Sequence, residues 1–198
     1  MFEHRDDVGA RMGMWIFIFT ELLLFGGLFL VYAIFRAKYS AEFHTAAFEL
    51  NAFMGAMNTV ILLISSATVA MSITAVQKKD KKLALILLGT TIVMGFMFLV
   101  NKYFEWSHKF HLGIYPGSDL FTKMEQGEGI FFALYYFMTG LHVFHIIVGM
   151  IILTVVFFRV KSEHVNHEKF VFLENGGLYW HLVDLIWIFL FPLLYLIT

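Results

Sequence analysis

The 198-residue sequence has no cysteine, only two prolines and few charges, with Asp, Glu, Lys and Arg together making up 15%. Without cysteine there are no disulfides, iron–sulfur clusters or thiolate-held zinc or copper, so a metal or haem would need His, Met or carboxylate ligands. A formal net charge of −1 leaves no basic face for nucleic acid. Soluble domains carry about 25% charged and about 45–50% apolar residues, whereas 60% of this chain is hydrophobic. Most of its surface must therefore face something other than water, and the composition reads as that of a membrane protein. Glu3, His4, Arg5, Asp6, Asp7 and Arg11 crowd the N-terminus, the wrong pattern for a signal or transit peptide. The first apolar run is expected to stay in the mature protein.

Long runs with few charges cover residues 13–35, 52–76, 83–101, 129–158 and 176–197. Each reaches the roughly 20 residues that cross about 30 Å of hydrocarbon as a helix. A β-barrel would show alternating segments of about 10 residues instead. The expected fold is an all-α polytopic membrane protein, a bundle of five transmembrane helices forming one membrane domain over residues 1–198. Lys and Arg set its orientation. With the N-terminus inside, nine lie on the inner side (Arg5, Arg11, Lys78, Lys79, Lys81, Lys82, Arg159, Lys161, Lys169) and five on the outer (Arg36, Lys38, Lys102, Lys109, Lys123). The excess predicts N-terminus inside and C-terminus outside. The predicted connections are inner loops at 77–82 and 159–175 and outer segments at 36–51 and 102–128.

Within the spans the strongly polar positions are Glu21, His142, His145, His181 and Asp184. A carboxylate at mid-membrane costs on the order of 3 kcal/mol on insertion scales, so these groups are expected to face protein. The spacing of three residues within His142/His145 and within His181/Asp184 puts each pair on one helix face. Three roles remain open: hydrogen bonding between helices, a lipid- or proton-handling site, and haem ligation by either His142 or His145 together with His181. Asn58, Thr59, Ser65, Ser66 and Thr68 line the second span with small or hydroxylated side chains and read as a helix-packing seam. Gly26, Gly27, Gly140 and Gly149 invite the same reading. Lys102 and Glu105, three apart at the end of the third span, read as a solvated interfacial ion pair. His44, His108, His111, His164 and His167 fall in predicted loops without evident ligand partners. Neither a metal site nor a catalytic residue is expected in the chain.

Trp15-Ile-Phe-Ile-Phe-Thr-Glu21, Asn58-Thr59 through Ser65-Ser66-Ala-Thr68, Phe104-Glu105-Trp106, Thr139-Gly140-Leu-His142-Val-Phe-His145 and Tyr179-Trp180-His181-Leu-Val-Asp184 occur in this order along the chain. As an ordered set they resemble subunit III of haem–copper terminal oxidases, in a five-helix bacterial form lacking the first two helices of the longer form. Val143 and Phe144 stand where the family pattern has a second glycine. The resemblance implies an accessory subunit without cofactors of its own, docked on the catalytic subunit I of an oxygen-reducing, proton-translocating complex in a bacterial inner membrane. Haem and copper would sit in partner subunits, and phospholipid would be bound. Subunit II would be a further partner, and a larger respiratory supercomplex is left open. Glu21 corresponds to the family's buried, carbodiimide-reactive carboxylate, and cytochrome c is favoured over quinol as the donor. The residues by themselves leave two other classes open, a small proton-linked transporter and a b-type membrane cytochrome.

Overall fold

The computed structural model describes residues 6–196, and among these there is no strand. Glu3, His4 and Arg5, and the last residue of the expected fifth span, Ile197, lie outside the described residues. The helices are α1 (Asp7–Lys38), α2 (Ser40–Phe48), α3 (Ala52–Gln77), α4 (Lys81–His111), α5 (Asp119–Lys123), α6 (Gln126–Lys161) and α7 (Val171–Phe191), followed by a π-helical turn, Pro192–Leu196. Five of them, α1, α3, α4, α6 and α7 with its π-turn, are long and apolar enough to cross a membrane.

Helix starts are written in the sequence. Asp6, Asn51, Asp80 and Ser118 each accept a hydrogen bond from the backbone N–H three residues on, opening α1, α3, α4 and α5. The tight turn between α3 and α4 places Lys79 at φ 64°, and the basic run around it keeps that turn in water.

α4 and α7 outrun their apolar stretches because partners elsewhere in the fold meet their polar ends. The third expected span ends at 101, but α4 continues to His111 because the charges beyond Asn101 are met inside the protein. His108 and His111 are therefore helical, as is His44 on α2. The fifth expected span starts at 176, but α7 begins at Val171. Glu174 is held there by the Arg11 guanidinium at 2.7 Å, and Asn175 donates to the Ala10 carbonyl at 3.1 Å. At the other end Pro192 has no N–H to continue the α-helical ladder, and the chain widens into the π-turn. The expected outer segments also hold structure. α2 buries Phe43, Ala46 and Ala47, packing against α6, and Lys109 on α4 donates to the Glu49 carbonyl at 3.0 Å.

α7 is the central element, in contact with α1, α3 and α6. Its two tryptophans, Trp180 and Trp187, are fully buried. Ring and hydrogen-bond contacts fix the neighbours. Gly55, Thr59, Ser65 and Ser66 of α3 meet Phe191, Trp187, Trp180 and His181 respectively, so the two helices run antiparallel. Thr68–Thr91 and Asn58–Asn101 set α3 antiparallel to α4. α1 is peripheral: Trp15, Ile16, Phe19, Leu23, Leu30 and Ile34 are all exposed.

The polar interior as candidate functional site

α3 carries its hydroxyls where the aromatic residues of α7 cross it. Trp180 Nε1 donates to Ser65 Oγ at 3.0 Å, and Trp187 Nε1 donates to Thr59 Oγ1 at 3.0 Å. A buried indole N–H needs an acceptor, and a short hydroxyl on a close neighbour supplies one without added bulk. The same economy of space explains Gly55 and Gly149. A Cβ on Gly55 would lie 2.7 Å from Phe191, and one on Gly149 would lie 2.9 Å from the Trp180 ring. Gly26 and Gly27 differ, since nothing lies within 4 Å of a Cβ at either position. They face outward from α1 and take no part in a seam within this chain.

The five ionisable groups singled out from the sequence divide into separate environments. Glu21 on α1 lies 3.1 Å from His145 Nε2, and His145 Nδ1 lies 2.8 Å from the Leu141 carbonyl. That carbonyl can only accept, so Nδ1 carries a proton. The Glu21 side chain stays 15% exposed at the rim of the bundle, whereas His145 is buried between the Phe25 and Tyr179 rings. His181 is joined to α3 through Ser66 Oγ at 2.7 Å. Asp184, one turn further along α7, is buried beside Ser66. His142 shares a helix face with His145 but not its surroundings. Its ring stacks on Trp187 with centroids 5.1 Å apart and meets the edge of Phe98 at 5.5 Å. The pairs Glu21–His145 and His181–Ser66 are thus formed directly, with Asp184 beside Ser66 and His142 apart from both. Among the described residues no three of His, Asp and Glu gather as a metal-ligating group.

Lys102 and Glu105 require a correction. They are not solvated: Lys102 is 1% exposed and Glu105 5%. The Lys102 ammonium donates to Glu105 Oε2 at 3.1 Å and to the Tyr195 hydroxyl at 2.6 Å, and the Tyr135 hydroxyl lies 3.5 Å away. Both tyrosines donate to the other carboxylate oxygen, Oε1, Tyr135 at 2.6 Å and Tyr195 at 2.5 Å. The ammonium also sits over the rings of Trp187, Tyr135 and Tyr195 at 5.0–5.3 Å. The network thereby ties α4, α6 and the π-turn together. Its missed members are Tyr135 and Tyr195, which look like ordinary aromatics at a membrane boundary. Only the spacing of Lys102 and Glu105 was legible, because what buries the pair comes from residues 30 and 90 positions from Glu105.

One cavity opens at the end of the bundle where α1 begins. It measures about 1250 Å³ and is lined by Phe158, Arg159, Lys161, His164, Lys169 and Phe172, and by Asp6 and Asp7. Basic groups over apolar walls suit an amphiphilic anion. Nearby, Glu163 in the loop after α6 accepts from Lys81 Nζ at 2.8 Å. That hydrogen bond, reinforced by the lysine's charge, holds the carboxyl below its ordinary range.

Residues 3–198 match the family profile described as cytochrome c oxidase subunit III. A cytochrome c oxidase subunit 3 of Thermostichus vulcanus is 31% identical over 99% of this chain and 90% of its own length. A probable quinol oxidase subunit 3 of Staphylococcus saprophyticus is 28% identical over 94% of the chain and 88% of its own. A haem–copper oxidase subunit I+III of Aeropyrum pernix is 28% identical over 94% of this chain, which spans 22% of that longer protein. Five helices long and apolar enough to cross a membrane, a hydrogen-bonded polar interior and a family match over residues 3–198 lead to one conclusion: the chain is a membrane protein of the cytochrome c oxidase subunit III family.

Proposed function

We propose that this chain is the accessory, non-redox subunit III of a bacterial terminal oxidase that reduces oxygen to water and translocates protons. It docks on the catalytic subunit I, beside subunit II, in the inner membrane, N-terminus inside and C-terminus outside, and its whole length acts as one membrane domain. The observation that carries this reading is the division of labour within the bundle. Its inward polar groups are largely taken up in tying helices to one another, through pairs such as Trp187–Thr59, Trp180–Ser65 and His181–Ser66. α1 meanwhile turns a continuous apolar face outward. Such a chain is a scaffold, and the naming of a relative as subunit I+III supports subunit I as the neighbour it serves. Haem and copper belong to those neighbours in this reading. A proton-linked transporter would need polar groups open to a pathway, and a b-type cytochrome would need free imidazoles on opposite sides of an iron. Cytochrome c is the favoured donor, on the name of the matching family and of the Thermostichus vulcanus relative. The staphylococcal relative makes quinol the second reading.

Two sites have roles within this function. The cavity beside Arg159, Lys161 and Lys169 takes a phospholipid, its phosphate against the basic groups and its chains along the apolar flank. The Glu21–His145 pair, at the lipid-facing rim, steadies α1 against α6 and supports proton uptake by the neighbouring subunit. Affinity purification through a tag on this chain tests the central claim. Co-purification of haem- and copper-bearing subunits with oxygen-reducing activity is expected, and recovery of the chain alone refutes it. Oxidation of reduced cytochrome c rather than a quinol by that complex decides the donor. In the same complex Glu21→Gln retains phospholipid and turnover lifetime, whereas Glu21→Ala loses both. Equal behaviour of Gln, Ala and wild type shows the pair to be inert.

A further inference from the structure

Most polar groups of the bundle are paired; among the described residues Trp106 Nε1 and Asn175 Oδ1 are single exceptions, and the remaining ones fall on three residues. Both ring nitrogens of His142, both carboxyl oxygens of Asp184 and the amide nitrogen of Asn58 are buried without a hydrogen-bond partner. His142 and Asn58 are 0% exposed and Asp184 3%. The three come from α6, α7 and α3, and each is connected to Trp187, by contact or by a near neighbour in sequence. His142 stacks on the Trp187 ring. Trp187 Nε1 reaches Thr59, the residue next to Asn58. Asp184 precedes Trp187 by three residues, about 4.5 Å along the helix axis.

The neighbouring hydroxyls can serve few of these atoms: the single Ser66 hydroxyl hydrogen meets at most one Asp184 oxygen. Ser66 also lies 2.7 Å from His181 Nδ1, and Thr59 accepts from Trp187 while donating to the Gly55 carbonyl. The orphan groups are chemically complementary but do not bond to one another. The Asn58 amide offers donors, the Asp184 carboxyl offers acceptors, and a neutral imidazole offers one of each. A ligand that both donates and accepts, and is small enough for a close-packed interior, is what such a set binds. In hydrocarbon no bulk solvent is at hand to do so, and buried water is held where two to four polar partners converge.

We infer that the Asn58–His142–Asp184 set is a binding site for ordered internal water, bridging α3, α6 and α7 around Trp187. The site lies between the Lys102–Glu105 network on one side and the Ser66–His181 pair on the other, so its waters complete a hydrogen-bonded seam down the inside of the bundle. The inference does not depend on which electron donor the complex uses.

A map of the assembled complex at a resolution that separates bound waters is the first test. Density within hydrogen-bond distance of the His142 ring and the Asp184 carboxyl is expected. A dry site, or direct side-chain pairing of these groups, overturns the inference. Infrared spectra of the complex in H2(16)O and H2(18)O give a second measure. An isotope-sensitive O–H stretching band from confined water is expected in wild type and in Asp184→Asn, whose amide can still hold water. It is expected to be lost in Asp184→Leu and in His142→Phe. A band unchanged in both of those variants overturns the inference, and should neither variant assemble, the wild-type map decides alone.

Discussion

Removing the carboxylate of Glu105 is the sharpest perturbation available in this fold. In Glu105→Leu the Lys102 ammonium keeps its burial but loses its counter-charge at 3.1 Å, and the hydroxyls of Tyr135 and Tyr195 lose the oxygen they share. Breaking a buried ion pair by deleting one partner costs about 3–5 kcal/mol. For a chain of this size each kcal/mol is worth about 2–4 °C, so the melting temperature is expected to fall by about 6–20 °C. Converting the whole network to apolar residues, Lys102→Met with Glu105→Leu, Tyr135→Phe and Tyr195→Phe, removes the stranded charge along with the stranded hydroxyls. Most of the lost stability is then expected to return, since well-packed apolar replacements of buried pairs are often neutral. Thermal unfolding of the purified chain in detergent micelles, followed by far-ultraviolet circular dichroism, measures both. Limited proteolysis should at the same time show earlier cleavage near the π-turn, whose Tyr195 is tied to α4 through this network. A Glu105→Leu variant that melts within 2 °C or so of wild type, below the shift about 1 kcal/mol gives, would refute the reasoning, because only a solvated pair is that cheap to break.

Ser65→Ala strips the buried Trp180 indole of its acceptor and is expected to cost about 1–3 kcal/mol, read as a lower melting temperature with a shifted tryptophan emission. Gly149→Leu drives a side chain into the Trp180 ring, which a bare Cβ already approaches to 2.9 Å, and overpacking of about 1–3 kcal/mol or more follows. Gly26→Leu, with open space around it, should leave melting unchanged in the same assay. The Glu163–Lys81 bond gives a pH dependence whose sign is fixed. Its carboxyl is held low in the folded chain, so its stabilising effect is present above the ordinary carboxylate range and lost as pH falls through the lowered folded value. Hydrogen exchange in the loop after α6 should therefore quicken on acidification, and Lys81→Met should abolish that dependence.

Residue chemistry alone was enough to establish the number and kind of spanning elements. Apolar runs long enough for a bilayer admit one solution for their backbone polar groups, the helix, and five of them appear among the described residues. The caps Asp6, Asn51, Asp80 and Ser118, found in the structure, are contacts over only three residues of chain. Helix ends set by distant partners were not legible in the sequence. α4 runs past the first charge and α7 starts ahead of the last one, since Glu105 is met by Tyr135 and Tyr195, and Glu174 by Arg11.

The same limit applies to the candidate site. Sequence spacing placed His142 and His145 on one face of α6, and that holds, but a shared face is not a shared environment. One imidazole meets the Glu21 carboxyl and the other lies between Trp187 and Phe98. Hydropathy decides which side chains must leave lipid. It carries no information on which of them meet, because that depends on the rotation of each helix about its own axis and its register against the next. Here those are set by side-chain volume at the crossings, with Trp180 seated against Gly95 and Gly149, and Phe191 against Gly55. Composition and periodicity thus determined a five-helix membrane chain with a handful of inward polar groups, and only tertiary packing decided that Lys102 and Glu105 are sealed in its core.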